Sequence, residues 1–252
     1  MPKLSGMIKI QGSADDLTFF KTRTGYKWRK QVKMEKDRMA TDPAFARTRE
    51  NNREFTSAAG NAKLLRRALA LQLKEVNDGS MFRRLFSALL KITKSDPVSD
   101  RGSRNAALGD LSLLKDFDFN STALLDKILV TGITTTTDRV NGKHEVKVNP
   151  FTPSKQVEFP GGATHFKIIS MAVDIDFVLG DTQTSAAESA SIPVMQNTPV
   201  AVPEQQHVLS AGSTHPLLLV VGIVFLMEVN GKEYPLNDKS FNALRILAAD
   251  YQ

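Results

Sequence analysis

The chain has 252 residues, 41% of them hydrophobic, and a formal net charge of +6, enough apolar material for one large folded domain or two small ones. It contains no cysteine, which excludes disulfide frameworks, thiolate nucleophiles and cysteine-ligated zinc or iron–sulfur sites together. Residues 1–115 hold 24 Lys and Arg against 12 Asp and Glu, and residues 116–252 hold 9 against 15, an asymmetry that points to a polyanionic partner or to unlike surfaces of two copies meeting.

The N-terminal stretch MPKLSGMIKIQGSADD lacks the continuous apolar core of a secretory signal, so a cytoplasmic protein is expected. From Met7 to Lys33 the pattern predicts an extended arm with a hairpin, in which Leu17, Phe19, Phe20, Tyr26 and Trp28 flank the turn signal Arg23-Thr24-Gly25. Asp42-Pro43 supplies an N-cap and a first-turn proline for a helix running to about Asn77. Phe55, Ala58, Ala62, Leu65 and Leu69 fall on its apolar stripe, and Gly60 interrupts the pattern. A second helix over 81–94, with Phe82, Leu85, Leu89 and Ile92 inward, completes a helical hairpin.

Beyond the polar connection SDPVSDRGSRN the chain reads as strands. ILVTGITTTTDRV and KHEVKVNPF flank Asn141-Gly142, and Asn230-Gly231 marks a second hairpin. THFKIISMAVDIDFVL is a long strand carrying Asp174 and Asp176 in alternation, TQTSAAESAS a polar loop, and IPVMQNTPVAVP an edge strand or coil. FNALRILAADYQ either closes the sheet or forms a short helix. The run LLLVVGIVFLM (Leu217 to Met227) is about half the roughly twenty residues a membrane span requires, and its β-branched content makes it a buried strand. The expected fold is α+β: an N-terminal β arm (1–41), a helical hairpin region (42–120) and an antiparallel β-sandwich of jelly-roll or Ig-like kind (121–252).

GGATHFKII (Gly161 to Ile169) and AGSTHPLLL (Ala211 to Leu219) echo each other, predicting two equivalent strands. At their corners Thr164 and Thr214 would bond turn backbone, and His165 and His215 would cap neighbouring carbonyls, a structural role. The sharper alternative pairs the two histidines with Asp174 or Asp176 as a metal or acid–base site, but no two-ligand spacing such as H-x-x-x-H supports it. No nucleotide-cradling glycine loop and no hydrolase elbow is present, so neither catalytic residues nor a cofactor nor a metal is expected.

One feature rises above this background. At helical spacing Arg49, Arg53, Lys63, Arg67 and Lys74 project beside the apolar stripe of the first helix, and Arg84, Lys91 and Lys94 form a row on the second. Such rows suit phosphate contacts, an acidic protein surface, or solvent alone.

The segments DDLTFFKTRTGYKWRK, DPAFARTRENNREF, AAGNAKLLRRAL and RGSRNAALGD, followed by the two Thr-His strands, resemble a family of uncharacterised bacterial proteins of similar length. The resemblance implies one complete unit and brings no activity, cofactor or catalytic residue. The expected function is that of a non-enzymatic structural or assembly protein, a homo-oligomer formed head to tail through its arm and its oppositely charged halves. The alternative is a nucleic-acid or other polyanion-binding module acting through the basic ridge.

Overall fold

A computed structural model of the chain describes residues 10–31 and 36–250; the expected arm residues 7–9 and 32–33, and the last two residues of the chain, lie outside the described set. The chain divides into two compact units, one reaching to Arg49 and one beginning at Glu50.

In the first unit β1 (Gly12–Ala14), β2 (Leu17–Thr22) and β3 (Gly25–Lys30) form an antiparallel meander in that order. Its two-residue turns are Asp15-Asp16, where Asp15 adopts the left-handed φ of +47° that Asp tolerates, and Arg23-Thr24. Strand alternation gathers Leu17, Phe19, Tyr26 and Trp28 on one face, with Phe19 directly opposite Trp28. Phe20 points to the other face, under the guanidinium of Arg29 at 5.7 Å. After α1 (Lys36–Thr41), the Asp42 carboxylate accepts a hydrogen bond from Ala44 N at 2.9 Å and caps the short 3-10 turn Pro43–Phe45. The long helix α2 (Ala46–Ala68) follows directly, so Asp42-Pro43 leads into this helix as expected, but α1 before it is helix within the stretch 1–41 expected as a β arm.

In the second unit α2 continues to Ala68 and is followed by α3 (Ala70–Leu73) and α4 (Met81–Ser95). The helix expected to run to about Asn77 passes through Gly60 unbroken and leaves helical geometry instead at Leu69 (φ −91°, ψ 14°), although Leu69 N and Leu73 N still reach the carbonyls four residues back. Ala58, Ala62, Leu65 and Leu69 are fully buried, as are Leu85, Leu89 and Ile92 of α4. Phe55 and Phe82 are not: they are 55% and 43% exposed. Both lie on the rim of their helices, where Phe55 meets Phe86 edge-on at 4.5 Å and Arg66 covers Phe82 at 5.1 Å.

Nine strands follow: β4 (Ile133–Asp138), β5 (Lys143–Val148), β6 (His165–Ile175), β7 (Thr182–Glu188), β8 (Ile192–Pro193), β9 (Gln205–Val208), β10 (Leu217–Val229), β11 (Lys232–Pro235) and β12 (Ala243–Asp250). All their pairings are antiparallel. The long strands β6 and β10 lie side by side at the centre of the larger sheet; β12 and β11 share the outer edge of β10, and β7 and β8 share the outer edge of β6. A smaller sheet has the order β4-β5-β9.

Two residues of opposite parity on each central strand face opposite layers. Met171, Val173 and Ile175 of β6, with Leu218 and Val220 of β10 and Leu244 and Ile246 of β12, pack against Leu65, Leu69, Leu85, Leu89 and Ile92 of the helices. Phe166 and Ile168, with Val221, Ile223 and Phe225, pack against Val146 and Val148 of β5. At roughly 1.5–3 kcal/mol for each large apolar side chain buried, these two clusters carry the fold. The chain is therefore α+β, and no packing boundary falls near residue 120, because helices and sheet share one core. Thr182–Glu188, expected as a loop, is the edge strand β7: its side chains are mostly exposed, and the free edge of β6 imposes the extended form. The C-terminal segment takes the sheet-closing form, as β12. The Pro-rich stretch IPVMQNTPVAVP, expected as an edge strand or coil, contributes the two-residue β8 and one bridge from Val200 to Phe151.

Candidate functional site

The two Thr-His sequences stand at the starts of the two central strands, His165 as the first residue of β6 and Thr214-His215 just ahead of Leu217, the first residue of β10, and antiparallel pairing sends them to opposite ends of the sheet. His165 is in register with Leu226, and Leu217, two residues beyond His215, with Asp174. Each strand start therefore lies beside the acidic finish of its neighbour. His165 Nδ1 is 3.7 Å from Glu228 Oε2, while His215 Nδ1 is 3.0 Å from Asp174 Oδ1 and its Nε2 is 3.6 Å from Asp176 Oδ2. Both histidines thus face carboxylates rather than the carbonyls expected, and a site shared by the two is not formed. Thr164 does bond backbone: its Oγ1 accepts from Glu228 N at 2.7 Å, closing the end of β10. The echo is also out of phase across the sheet, since Phe166 and Ile168 face the smaller sheet and their counterparts Pro216 and Leu218 fall on the opposite parity, Leu218 packing under the helices.

At the His215 end the chain encloses a cavity of about 450 Å³ lined by Asp174, Asp176, Asp181, Thr182, Gln183, Ser210, Gly212, Ser213, Thr214 and His215. Its geometry is set from behind. Arg139 Nη1 donates to the carbonyls of Ser213 and His215 at 3.0 and 2.8 Å and its Nε pairs with Asp250 at 2.6 Å, which holds the 213–215 corner. Asp176 Oδ1 accepts from Val178 N and Leu179 N at 2.7 and 3.0 Å. The Leu179 N–H above all, with Val178 N–H and the His215 ring, holds the Asp176 carboxyl below its ordinary value against the opposing effect of burial. Asp174 is nearly buried, and its Oδ2 has no hydrogen-bond partner. No lysine or arginine lines the cleft, so it is an acidic recess edged with hydroxyls. Among the described residues no three carboxylate or imidazole groups converge as metal ligands. His215 Nδ1 is hydrogen-bonded to Asp174, its Nε2 lies 3.6 Å from Asp176, and no hydroxyl is hydrogen-bonded to the ring.

The basic residues divide into two groups. Arg49 Nη1 is taken by the carbonyls of Met39 and Asp42 at 3.0 and 2.9 Å. Arg84 bonds the carboxylate of Asp78 and the carbonyls of Asp118 and Phe119, all within 3.0 Å, and stacks on Phe117. These two arginines tie the chain to itself. Arg53, Lys63, Arg67, Lys74, Lys91 and Lys94 are exposed, and none has an ion-pair partner among the described residues. The arm residues Leu17, Phe19, Phe20, Tyr26 and Trp28 are each only half-buried.

No protein-family model matches the chain, and no curated protein and no solved structure is significantly similar to it.

One cluster escapes sequence reasoning altogether. His144 of β5 and His207 of β9 stand directly opposite each other, each 1% exposed, and His207 Nε2 lies 2.8 Å from Ser170 Oγ of β6. Neither Nδ1 has a partner. Burial lowers both pKa values, and for His144 the charge of Arg139 adds to it.

Proposed function

We propose that the protein is a non-enzymatic assembly unit that forms a head-to-tail homo-oligomer through its N-terminal arm. The observation that carries this reading is the meander itself: three strands present Leu17, Phe19, Tyr26 and Trp28 on one face, and no residue from Gly12 to Lys30 is buried. A small sheet whose apolar residues are no more than half-buried is marginal in water and gains stability when they are covered further. The acidic cleft supports the second half of the proposal, because a recess holding Asp174, Asp176 and Asp181 without a lysine or arginine is a surface for the basic side of another copy. We also read the β4-β5-β9 sheet and the larger sheet as a β-sandwich, on the support of the core that Val146, Val148, Phe166, Ile223 and Phe225 share.

Light scattering on the intact chain should give a mass above that of one subunit, falling when residues 1–31 are removed and when Phe19 and Trp28 are both replaced by Ser. A monomeric mass for the intact chain at micromolar concentration and moderate salt overturns the proposal. A second reading, polyanion binding, is favoured by the six exposed cations of the ridge that have no ion-pair partner among the described residues. It expects sequence-tolerant DNA binding whose log K falls linearly with log salt, with the slope reduced by about one for each cation neutralised. Absence of DNA binding at low salt removes it.

A further inference from the structure

A glycine in the middle of an exposed helix costs about 0.5–1 kcal/mol relative to alanine, yet α2 carries Gly60. A Cβ built there meets nothing within 4 Å, so neither close packing nor an unusual backbone angle accounts for it. Gly60 instead lines a groove of about 330 Å³ formed with Asn61, Lys63, Leu64 and Arg67 of the same helix and with the turn Phe177 to Gly180 that follows β6.

Three features give this groove a chemistry. Asn61 is 6% exposed, and its Nδ2 donor has no partner, a costly state for a buried amide that a bound acceptor would relieve. Lys63 and Arg67 stand exposed beside it, without ion-pair partners among the described residues. Opposite them Val178 and Leu179 are 69% and 78% exposed. Their exposure is enforced by the fold, since both backbone N–H groups are bonded to the Asp176 carboxylate and Gly180 N to the Asp176 carbonyl at 2.9 Å. The positive φ of Gly180, +81°, lets the chain turn back there.

A buried amide donor without a partner and two exposed cations on the same groove ask for an oxyanion, and the aliphatic lip of the groove asks for an apolar stem. We propose that this groove binds a small amphipathic oxyanion, a carboxylate or phosphate carried on an aliphatic chain. Its head accepts from Asn61 Nδ2 and pairs with Arg67 and Lys63, and its stem lies along Leu64, Val178 and Leu179 over the space that Gly60 leaves open. A guanidinium recognises either head through two parallel N–H bonds, so the head group is distinguished by experiment.

The test is titration calorimetry of the full chain with octanoate, octyl phosphate, octanol and acetate. Octanoate or octyl phosphate should saturate, and whichever binds more tightly identifies the head group; octanol, which lacks the charge, and acetate, which lacks the stem, should bind at least ten-fold more weakly. Arg67→Gln, at an exposed position that leaves the fold intact, should weaken binding roughly ten-fold, the loss of a charge-assisted contact. Gly60→Leu should abolish binding by filling the groove while leaving the unliganded melting temperature unchanged or higher, because leucine favours the helix. No saturation with either oxyanion overturns the proposal. So does octanol binding as well as octanoate, or undiminished affinity in Arg67→Gln or Gly60→Leu.

Discussion

Lowering the pH from 7.5 to 5.5 should weaken the fold through His144 and His207. The two rings are paired across β5 and β9, each is 1% exposed, and neither Nδ1 has a partner. Burial lowers both pKa values from the ordinary 6.5; Arg139 lowers that of His144 further while Asp138, Asp250 and Asp174 oppose, and for His207 a hydrogen bond with the Ser185 backbone opposes while His144 adds to the lowering. Below pH 6.5 the unfolded chain takes up protons that the folded chain refuses, so stability is complete above that pH and drains away as the pH falls towards the native values. Each ring kept neutral in the folded state while the unfolded chain protonates withdraws stability over this interval, on the order of 1 kcal/mol at most. For the pair the ceiling is roughly 2–3 kcal/mol, a sizeable part of the roughly 5–15 kcal/mol typical of a folded domain. Urea unfolding followed by circular dichroism at the two pH values measures the loss in the wild type. His144→Gln and His207→Gln, together and singly, remove the titrating groups without removing their bulk. The double variant should lose less stability between pH 7.5 and 5.5 than the wild type does, and each single variant should fall between them. Parallel pH profiles for wild type and double variant would refute the argument.

Three further perturbations probe other joints of the structure. Gly142→Ala places a Cβ 2.3 Å from the carbonyl oxygen of Leu209, at a residue with φ of +66°, and should destabilise the β4–β5 connection by about 1–3 kcal/mol in denaturant titration. Arg245 forks onto Asp118 at 2.8 and 2.7 Å with both side chains nearly buried; Arg245→Ala leaves that carboxylate unpaired and should cost about 3–5 kcal/mol, against little change for Arg101→Ala at a more exposed pair. Asp96 holds the connection after α4 by accepting from Asn105 N, Val98 N and Ser99 N, and although burial opposes ionisation these bonds bring its pKa to about 2. Asp96→Asn should therefore remove stability at pH 7 but little near pH 2, where the wild-type carboxyl is itself half-protonated.

The helices and the central strands were legible because their periodicities are strong. The stripe Ala58, Ala62, Leu65, Leu69 recurs every three or four residues, and Leu217 to Leu226 is too short for a membrane and too β-branched for a surface helix. What escaped sequence reasoning lacked a local signal. β7 is made of Thr, Gln, Ser, Ala and Glu and exists because β6 offers it an edge. β9 is four residues with only two inward side chains, Gln205 and His207, so neither alternation nor composition marks it, and its histidine meets His144 only through the register of a third sheet. The Thr-His echo was read correctly as two strand starts and incorrectly as two carbonyl caps. Sequence shows that both strands begin alike; only the antiparallel register shows that each beginning lies against the other's acidic end.

The alternation of β6 also explains why an acidic and a basic recess lie so near each other. Along its last turn Asp174 and Asp176 point to the side of the smaller sheet, while Ile175 and Phe177 point to the helices. The carboxylates therefore line the cleft with His215, and the following turn delivers Val178 and Leu179 to the groove beside Lys63 and Arg67. Asp176 belongs to both: one oxygen faces His215 across the cleft, and the other holds the two N–H groups that shape the lip of the groove. A cationic side chain of a second copy in the cleft and an oxyanion in the groove, as proposed above, would bear on this one carboxylate from two sides. That shared residue would couple the proposed self-association to the proposed ligand binding without any contact between the two occupants.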